Sequence, residues 1–335
     1  MKPKILVIGP AWVGDMVMAQ SLFKRLKAQQ PDAVIDVLAP LWSQPLLARM
    51  PEVSSGMIMP FGHGKLNLLE RYTLGKNMRA QHYQQAIVLP NSFKSALIPF
   101  FASIPLRTGW RGEMRWGLLN DIRYLDKVRY PLTAQRYAAL ALTSDADAAL
   151  LPPALYFSAE TQAVVLKKLH LLHPVRPVLV VCPGAEYGPS KRWPESYYAD
   201  VANAKLAEGW DVWVLGSAKD SPVTEKILQL THQRAVNMTG NTSLTDAIDL
   251  LSLATAVVSN DSGLMHIAAA VQKPVIALFG PTSPLMTPPL IDAATILQTR
   301  LPCQPCQQRQ CPLQHHRCMR DLTPDTVLQA ISGTI

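Results

Sequence analysis

Short unbroken apolar runs alternate with longer segments of helical period along the chain. In the first half, Ile5–Ile8, Val34–Leu38, Met57–Met59 and Ala86–Leu89 are strand-sized. Between them, "MVMAQSLFKRLKAQQ" places Met18, Leu22, Phe23 and Leu26 on one face, with Lys24, Lys27 and Gln29 off it, which is helical spacing. "SFKSALIPFFA" reads as a helix kinked or restarted at Pro99. A second passage begins near Val178. Its strand-like runs are Val178–Cys182, Val212–Leu215, Ala256–Ser259 and Val275–Phe279, separated by helical patterns over Glu195–Glu208, Val223–Thr231, Leu244–Leu253 and Gly263–Val271. Apolar strands without alternation, separated by helices, imply parallel sheets covered on both faces. The fold class is therefore α/β, with two doubly wound parallel-sheet domains facing a cleft. The segment "SDADAALLPPALYFSAE" suits a connector leading into a helix over Thr161–Leu172. The boundary is expected near residue 170, giving domains 1–170 and 171–335, alike in architecture but not as a sequence repeat.

Composition narrows the partners. The chain has 335 residues, 48% of them apolar, and a net charge of +8. The positive balance favours an anionic partner: nucleic acid, a membrane surface or a phosphorylated substrate. No apolar run approaches the ~18 residues of a transmembrane helix. Asp15 interrupts the N-terminal apolar run and no small-residue cleavage site follows, so no signal peptide is read. A cytoplasmic location with reduced cysteines is the expectation.

In open parallel sheets, ligands bind beyond the carboxyl ends of strands. After Cys182 comes "PGAEYGPSKRWPESYYA", in which Lys191 and Arg192 precede a helix. A cation there opposes the helix dipole unless a phosphate sits in front; a solvated pair beside a core tryptophan is the plainer reading. After Ser259 comes "NDSGLMHIAAA". Asp261 and Ser262 are placed to cap a helix, Gly263 permits close approach of a ligand, and His266 follows one turn later. Asp261 can also accept from ligand hydroxyls. An ordinary cap with a core histidine is the alternative. Gly280 and Thr282 in "GPTSP", and Gly216, Ser217 and Asp220 in "GSAKD", close further strands and face either a nucleotide or solvent.

Three stretches together, "GPAWVGDMVMAQSLFKRLK", "PGAEYGPSKRWPESYYA" and "SNDSGLMHIAAAVQKPVIALFGPTSP", resemble the lipopolysaccharide heptosyltransferases, glycosyltransferase family 9. The resemblance spans nearly the whole chain. It implies a GT-B architecture, two Rossmann-like domains with the acceptor on the N-terminal one and ADP-heptose on the C-terminal one. It also implies inverting heptose transfer to a phosphorylated heptosyl-Kdo2-lipid A inner core, or to another inner-core position, with no metal or other cofactor required. By resemblance, Asp15 is the catalytic base, where the helix start keeps it ionised. Lys191 binds the diphosphate, the Gly263 N–H and His266 supply further phosphate contacts, and Asp261 contacts the heptose. Ser262, Gly280 and Thr282 complete the donor set. A related heptosyltransferase has a ribose-binding glutamate where Ala218 aligns here, which leaves Gly216 and Asp220 for the nucleotide and Thr242 near the adenine. A monomer, peripheral to the cytoplasmic face of the inner membrane, is the expected state.

"LRTGWRGEMRWGLLNDIRYLDKVRY" carries Arg107, Arg111, Arg115, Arg123, Lys127 and Arg129 among aromatics. For a lipopolysaccharide enzyme these suit carboxylates and phosphates of the acceptor, with Arg111 and Arg115 as contacts and Asn91 and Lys94 lining the acceptor side. A solvated basic face is the alternative. No recognised nucleic-acid module is present, so no nucleic-acid partner is expected. Cys303, Cys306, Cys311 and Cys318, near His315 and His316, have the composition of a small structural zinc site or of reduced thiols in a compact loop. An NAD-dependent oxidoreductase requires G-x-G-x-x-G, whereas the first loop reads G-P-A-W-V-G, and its acidic partner Asp36 falls inside the second strand.

Overall fold

The computed structural model describes residues 2–62, 64–142 and 149–334. The chain divides into two compact units, 1–153 and 154–335. In the first, strands β1 (Lys4–Ile8), β2 (Val34–Ala39), β3 (Ser55–Ile58), β4 (Gln85–Val88), β5 (Leu106–Trp110) and β6 (Asp121–Arg123) accompany helices α1 (Val13–Gln29), α2 (Gln44–Leu47), α3 (Leu68–Met78), α4 (Leu97–Phe101) and α5 (Thr133–Ala139). In the second, α6 (Ala159–Lys168) precedes β7 (Val178–Cys182), α7 (Glu195–Ala207), β8 (Asp211–Val214), α8 (Ser221–Leu230), β9 (Val236–Asn237) and α9 (Leu244–Ser252). There follow β10 (Ala256–Asn260), α10 (Gly263–Ala270), β11 (Val275–Phe279), β12 (Ala294–Gln298), α11 (Arg317–Arg320) and α12 (Pro324–Thr334).

Both expected doubly wound sheets are present. The first has strand order β3-β2-β1-β4-β5-β6 and the second β12-β11-β10-β7-β8-β9, every pairing parallel. Read from its own first strand, each sheet has the same topology. The central strands are dry: Leu6, Val7, Val181 and Val258 have no or almost no exposed surface, as strands covered on both faces must. The order reverses between β1 and β4 in one unit and between β7 and β10 in the other. At such a switch point neighbouring chains leave in opposite directions and open a crevice at the strand ends.

Several expectations shift. The units meet at Pro153–Ala154 rather than near residue 170. The reason is that α6 and the segment before it are bound into the second unit: Thr161 Oγ1 donates to Asp249 at 2.7 Å, Gln162 Nε2 to Ser252 Oγ at 2.8 Å, and, ahead of the helix, Leu155 N to Ala270 O at 2.9 Å. Residues 144–148 of the expected connector lie outside the described residues. The segment around Pro99 forms a 3-10 turn over Phe93–Ala96 and then α4, so the restart precedes the proline. Strands β5, β6, β9 and β12 lack the unbroken apolar runs of the central strands and were not anticipated. Asp36 is buried in β2 and accepts from the Tyr83 hydroxyl at 2.7 Å, an internal role that gives no support to a cofactor-ribose contact. No helix among the described residues is long and apolar enough to cross a membrane.

The second switch point is held by one buried side chain, Asn260 at the end of β10. Its Oδ1 accepts from Trp193 N at 3.2 Å and from the Tyr198 hydroxyl at 3.0 Å, and its Nδ2 donates to Pro183 O at 2.7 Å. One amide thus ties β10, the loop after β7 and the start of α7. Replacing it by leucine keeps the bulk but leaves a buried N–H and a buried carbonyl without partners, at about 1–3 kcal/mol each. Asn260→Leu is expected to lower stability by about 3 kcal/mol in urea denaturation followed by tryptophan fluorescence. A loss below about 1 kcal/mol would show that the amide is dispensable.

Candidate active site

In the first unit, α1 begins immediately beyond the β1 turn and carries Asp15 in its first turn, half-buried. Trp12 precedes the helix and provides no side-chain cap. The Asp15 carboxylate accepts from the Tyr137 hydroxyl at 3.3 Å, across the packed pair α1 and α5. Burial and the neighbouring negative charge push the Tyr137 phenol well above its ordinary pKa, so it stays protonated and serves as a donor. Tyr137 was not anticipated: nothing in the sequence links a tyrosine on a short helix to an aspartate 122 positions earlier.

The strand β4 ends in the loop that bears Asn91 and Lys94. Asn91 is exposed and Lys94 half-buried. This loop is strapped to the turn after β5. Glu113 N donates to Asn91 O at 3.0 Å, Phe93 N donates to Glu113 Oε2 at 2.7 Å, and Gly112 sits where a Cβ would lie 2.4 Å from Asn91 O. The strap is clamped by Arg115. Its guanidinium is buried and donates to Pro90 O at 2.7 Å, to Asn91 Oδ1 at 3.3 Å and to Trp110 O. Arg115 therefore positions the Asn91 loop from beneath rather than presenting an open charge, a correction to its expected role as a direct contact. Arg107 and Arg123 are likewise spent on internal carbonyls. Arg111 is exposed, with its guanidinium 5.4 Å from the centre of the Tyr124 ring.

In the second unit, the loops after β7, β10 and β11 bring together Lys191, Asp261, His266 and Thr282. Lys191 Nζ lies 2.6 Å from Asp261 Oδ2 and donates also to Asp261 O at 3.2 Å. Thr282 Oγ1 donates to the same Oδ2 at 2.5 Å. Both members of the ion pair are largely shielded from solvent, so breaking it without a substitute partner is costly. His266 is buried on α10. Burial pushes its imidazole down to about 4, although Asp261 pulls upward while Lys191 also pushes downward. At neutral pH it is an uncharged donor or acceptor, and Lys191 is the cation of the group.

The expected caps are absent. Asp261 turns to Lys191 and Thr282, and Ser262 has its hydroxyl 3.2 Å from Ser259 Oγ, so neither side chain occupies the first-turn N–H groups of α10. Asp220 is buried and accepts from Ser217 N and Ser217 Oγ at 3.0 and 2.8 Å, closing its own turn. Gly184 and Gly216 both abut it: a Cβ on Gly184 would come within 2.5 Å of its carboxylate. In the structure Asp220 is thus a turn-former, not an open carboxylate waiting for a ribose. The Thr242 hydroxyl donates back to Met238 O at 3.2 Å. Gly280 is small for the sake of Met319, whose sulfur would lie 2.4 Å from a Cβ there.

The cysteine-rich segment contributes backbone contacts to the Lys191 loop. Among the described residues no three His, Cys, Asp or Glu side chains are grouped to hold a metal ion, so the zinc reading finds no support. Instead the backbone of residues 307–309 braces the Lys191 loop. The Tyr187 hydroxyl donates to Gln307 O at 2.6 Å, Ser190 Oγ to Gln308 O at 2.6 Å and Ser190 N to Arg309 O at 3.2 Å. Gly188 must be glycine at this contact, since a Cβ would lie 2.4 Å from Arg309 O. Lys191 Nζ and the Arg309 guanidinium both lie near the Tyr187 ring, at 4.8 and 5.4 Å from its centre. Burial and the neighbouring sulfurs push the Cys318 thiol up to about 11, so it stays protonated, and Cys182 is a wholly buried part of β7.

The chain has relatives over nearly its whole length. The family model of glycosyltransferase family 9 (heptosyltransferase) matches residues 71–317. Lipopolysaccharide heptosyltransferase 2 of Escherichia coli strain K12 is 47% identical over 99% of this chain and 98% of its own length. Lipooligosaccharide heptosyltransferase 2 of Haemophilus influenzae is 49% identical over 98% of each. The solved structure of E. coli ADP-heptose LPS heptosyltransferase II superposes with a TM-score of 0.89 at 44% identity, covering all of this chain and 98% of that one. The two parallel six-stranded sheets are those of the GT-B fold, and the chain belongs to glycosyltransferase family 9, the heptosyltransferases.

Proposed function

We propose that this glycosyltransferase moves L-glycero-D-manno-heptose from ADP-heptose to the heptosyl-Kdo2-lipid A inner core in lipopolysaccharide core synthesis, inverting the anomeric centre. The names of its relatives support the reaction class. The observation that carries the reading to particular residues is the Lys191–Asp261–Thr282 cluster beside uncapped α10. A diphosphate needs a cation and free N–H groups, and a sugar hydroxyl needs a fixed acceptor; that cluster supplies all three.

In the proposed step, an acceptor hydroxyl oxygen bonds to the heptose C1 as the bond from C1 to the ADP oxygen breaks. The hydroxyl proton passes to the Asp15 carboxylate, and the electron pair leaves with ADP. Lys191 shares its three N–H bonds between Asp261 and the departing diphosphate, so the counter-charge is in place before the bond breaks. His266, neutral at working pH, donates a hydrogen bond without adding a charge that would repel Lys191. Asn91, Lys94 and Arg111 face the anionic acceptor, with Arg115 holding their loop. The enzyme works as a monomer at the cytoplasmic face of the inner membrane, with no resident metal or other cofactor.

ADP release from ADP-heptose, with and without heptosyl-Kdo2-lipid A, tests the assignment. Release that does not depend on the acceptor would defeat it. Asp15→Asn should lower kcat by at least 10²-fold, the range expected for a general base, while ADP-heptose binding by calorimetry changes less than about threefold. Lys191→Ala should weaken ADP-heptose binding by about tenfold or more, because it also strands the Asp261 carboxylate. Near-normal turnover in Asp15→Asn would remove the base from the mechanism. Tyr137→Phe tests the support of that base. Loss of a donor to the carboxylate disfavours its ionised form, so the acidic limb of the kcat/KM profile should move to higher pH. An unshifted limb would make Tyr137 a packing residue only.

A further inference from the structure

A face of the first unit, on the far side of α3 from the core, has features that heptose transfer does not use. Arg71, Gly75 and Met78 turn α3 inward. Gly75 allows the close approach: a Cβ there would lie 2.7 Å from Phe101 Cβ. On the outward flank, Leu68, Tyr72 and Lys76 form one row at four-residue spacing, with Leu69 beside them. Leu69 is 79% exposed, and Leu68 and Tyr72 are also exposed. The surface continues through aromatic contacts: Tyr72 meets Phe101 edge-on at 5.3 Å, and Phe101 meets the exposed Phe100 at 5.6 Å. Cations border it. Lys76 Nζ is 5.9 Å from the Tyr72 ring centre, the Arg107 guanidinium is 5.8 Å from that of Phe100, and Arg79 Nε donates to Phe101 O at 2.9 Å. The one carboxylate on α3, Glu70, lies about 160° around the helix from Tyr72.

We propose that this face docks on an anionic lipid bilayer, with Leu68, Leu69, Tyr72 and Phe100 entering the headgroup layer and Lys76 and Arg79 meeting lipid phosphates. Exposed apolar side chains with a cationic border have the composition of an interfacial anchor. A second copy of the chain fits poorly, since a two-fold contact would set the same cations against each other. The inference rests on the membrane-face location proposed above and names the surface that makes it; lipid binding is measured without substrate, so its failure leaves the sugar-transfer reading standing.

The test is co-sedimentation of the full chain with phosphatidylglycerol-containing vesicles and with neutral phosphatidylcholine vesicles. The anionic vesicles should bind, and the neutral ones should bind at least tenfold more weakly. Leu69→Asp with Tyr72→Asp should weaken binding at least tenfold, and Lys76→Gln with Arg79→Gln at least threefold, each with an unchanged circular-dichroism melting temperature. Trp116→Asp, on the exposed turn after β5, should change it less than twofold. Undiminished binding by both double variants, equal binding to neutral vesicles, loss that follows Trp116→Asp instead, or a dimer broken by the same double variants would each overturn the proposal. Should the first double variant misfold, the Lys76 and Arg79 pair decides.

Discussion

The Lys191–Asp261 site of this enzyme depends on a buried amide at a place where the sheet cannot satisfy itself. At the switch between β7 and β10 the two chains leave their strands in opposite directions, and the ladder ends with unpaired backbone groups in a dry region. Asn260 presents an acceptor and two donor positions there, and uses them on Trp193 N, the Tyr198 hydroxyl and Pro183 O. No aliphatic side chain does this, and a carboxylate lacks the donors. Because the residue is both the last of β10 and the neighbour of Asp261, the amide that repairs the sheet also sets where the Asp261 carboxylate stands. Lys191, two positions before Trp193, is fixed from the other side by the same bond.

The repeated apolar runs made the central strands and their parallel arrangement legible, because a strand buried on both faces has no polar phase to obscure it. The edge strands were not legible for the converse reason. β6 and β12 are only half-buried and carry mixed sequences. Among site residues, Lys191, Asp261 and His266 could be picked out from their place after strands, since topology directs ligands to strand ends. Their mutual geometry could not. The sequence suggested that Asp261 and Ser262 would cap α10. The competing partners, Lys191 seventy positions earlier and Thr282 twenty-one later, are long-range and leave no local trace. Asp220 failed in the opposite direction. A serine three positions before an aspartate in a tight turn is a local device, and it satisfied the carboxylate before any ligand had to.

Charge was the least specific guide. Of the arginines in the basic stretch, Arg107, Arg115 and Arg123 are consumed by carbonyls inside the unit. Five fixed donors on a planar fork suit arginine to this work, which lysine's single ammonium performs less well. The chain's +8 therefore overstates the charge available for any one partner in that stretch. The exposed cations on the α3 face were legible only once the aromatic contacts joined them into one surface.

The same economy governs the Lys191–Asp261 cluster. A site that gathered Lys191, a protonated His266 and Arg309 with no ligand present would suffer unrelieved repulsion in a region of low dielectric. Two features avoid this. His266 is held neutral by burial, and Lys191 carries its own counter-ion in Asp261. On the proposed assignment a bound diphosphate would compete for a lysine that is already oriented, its loop braced by the backbone of residues 307–309. The cysteine-rich segment reaches this loop through its carbonyls rather than its thiols. If the proposed assignment holds, preorganisation of this kind supplies a counter-charge that need not move far when the bond from the heptose to ADP breaks.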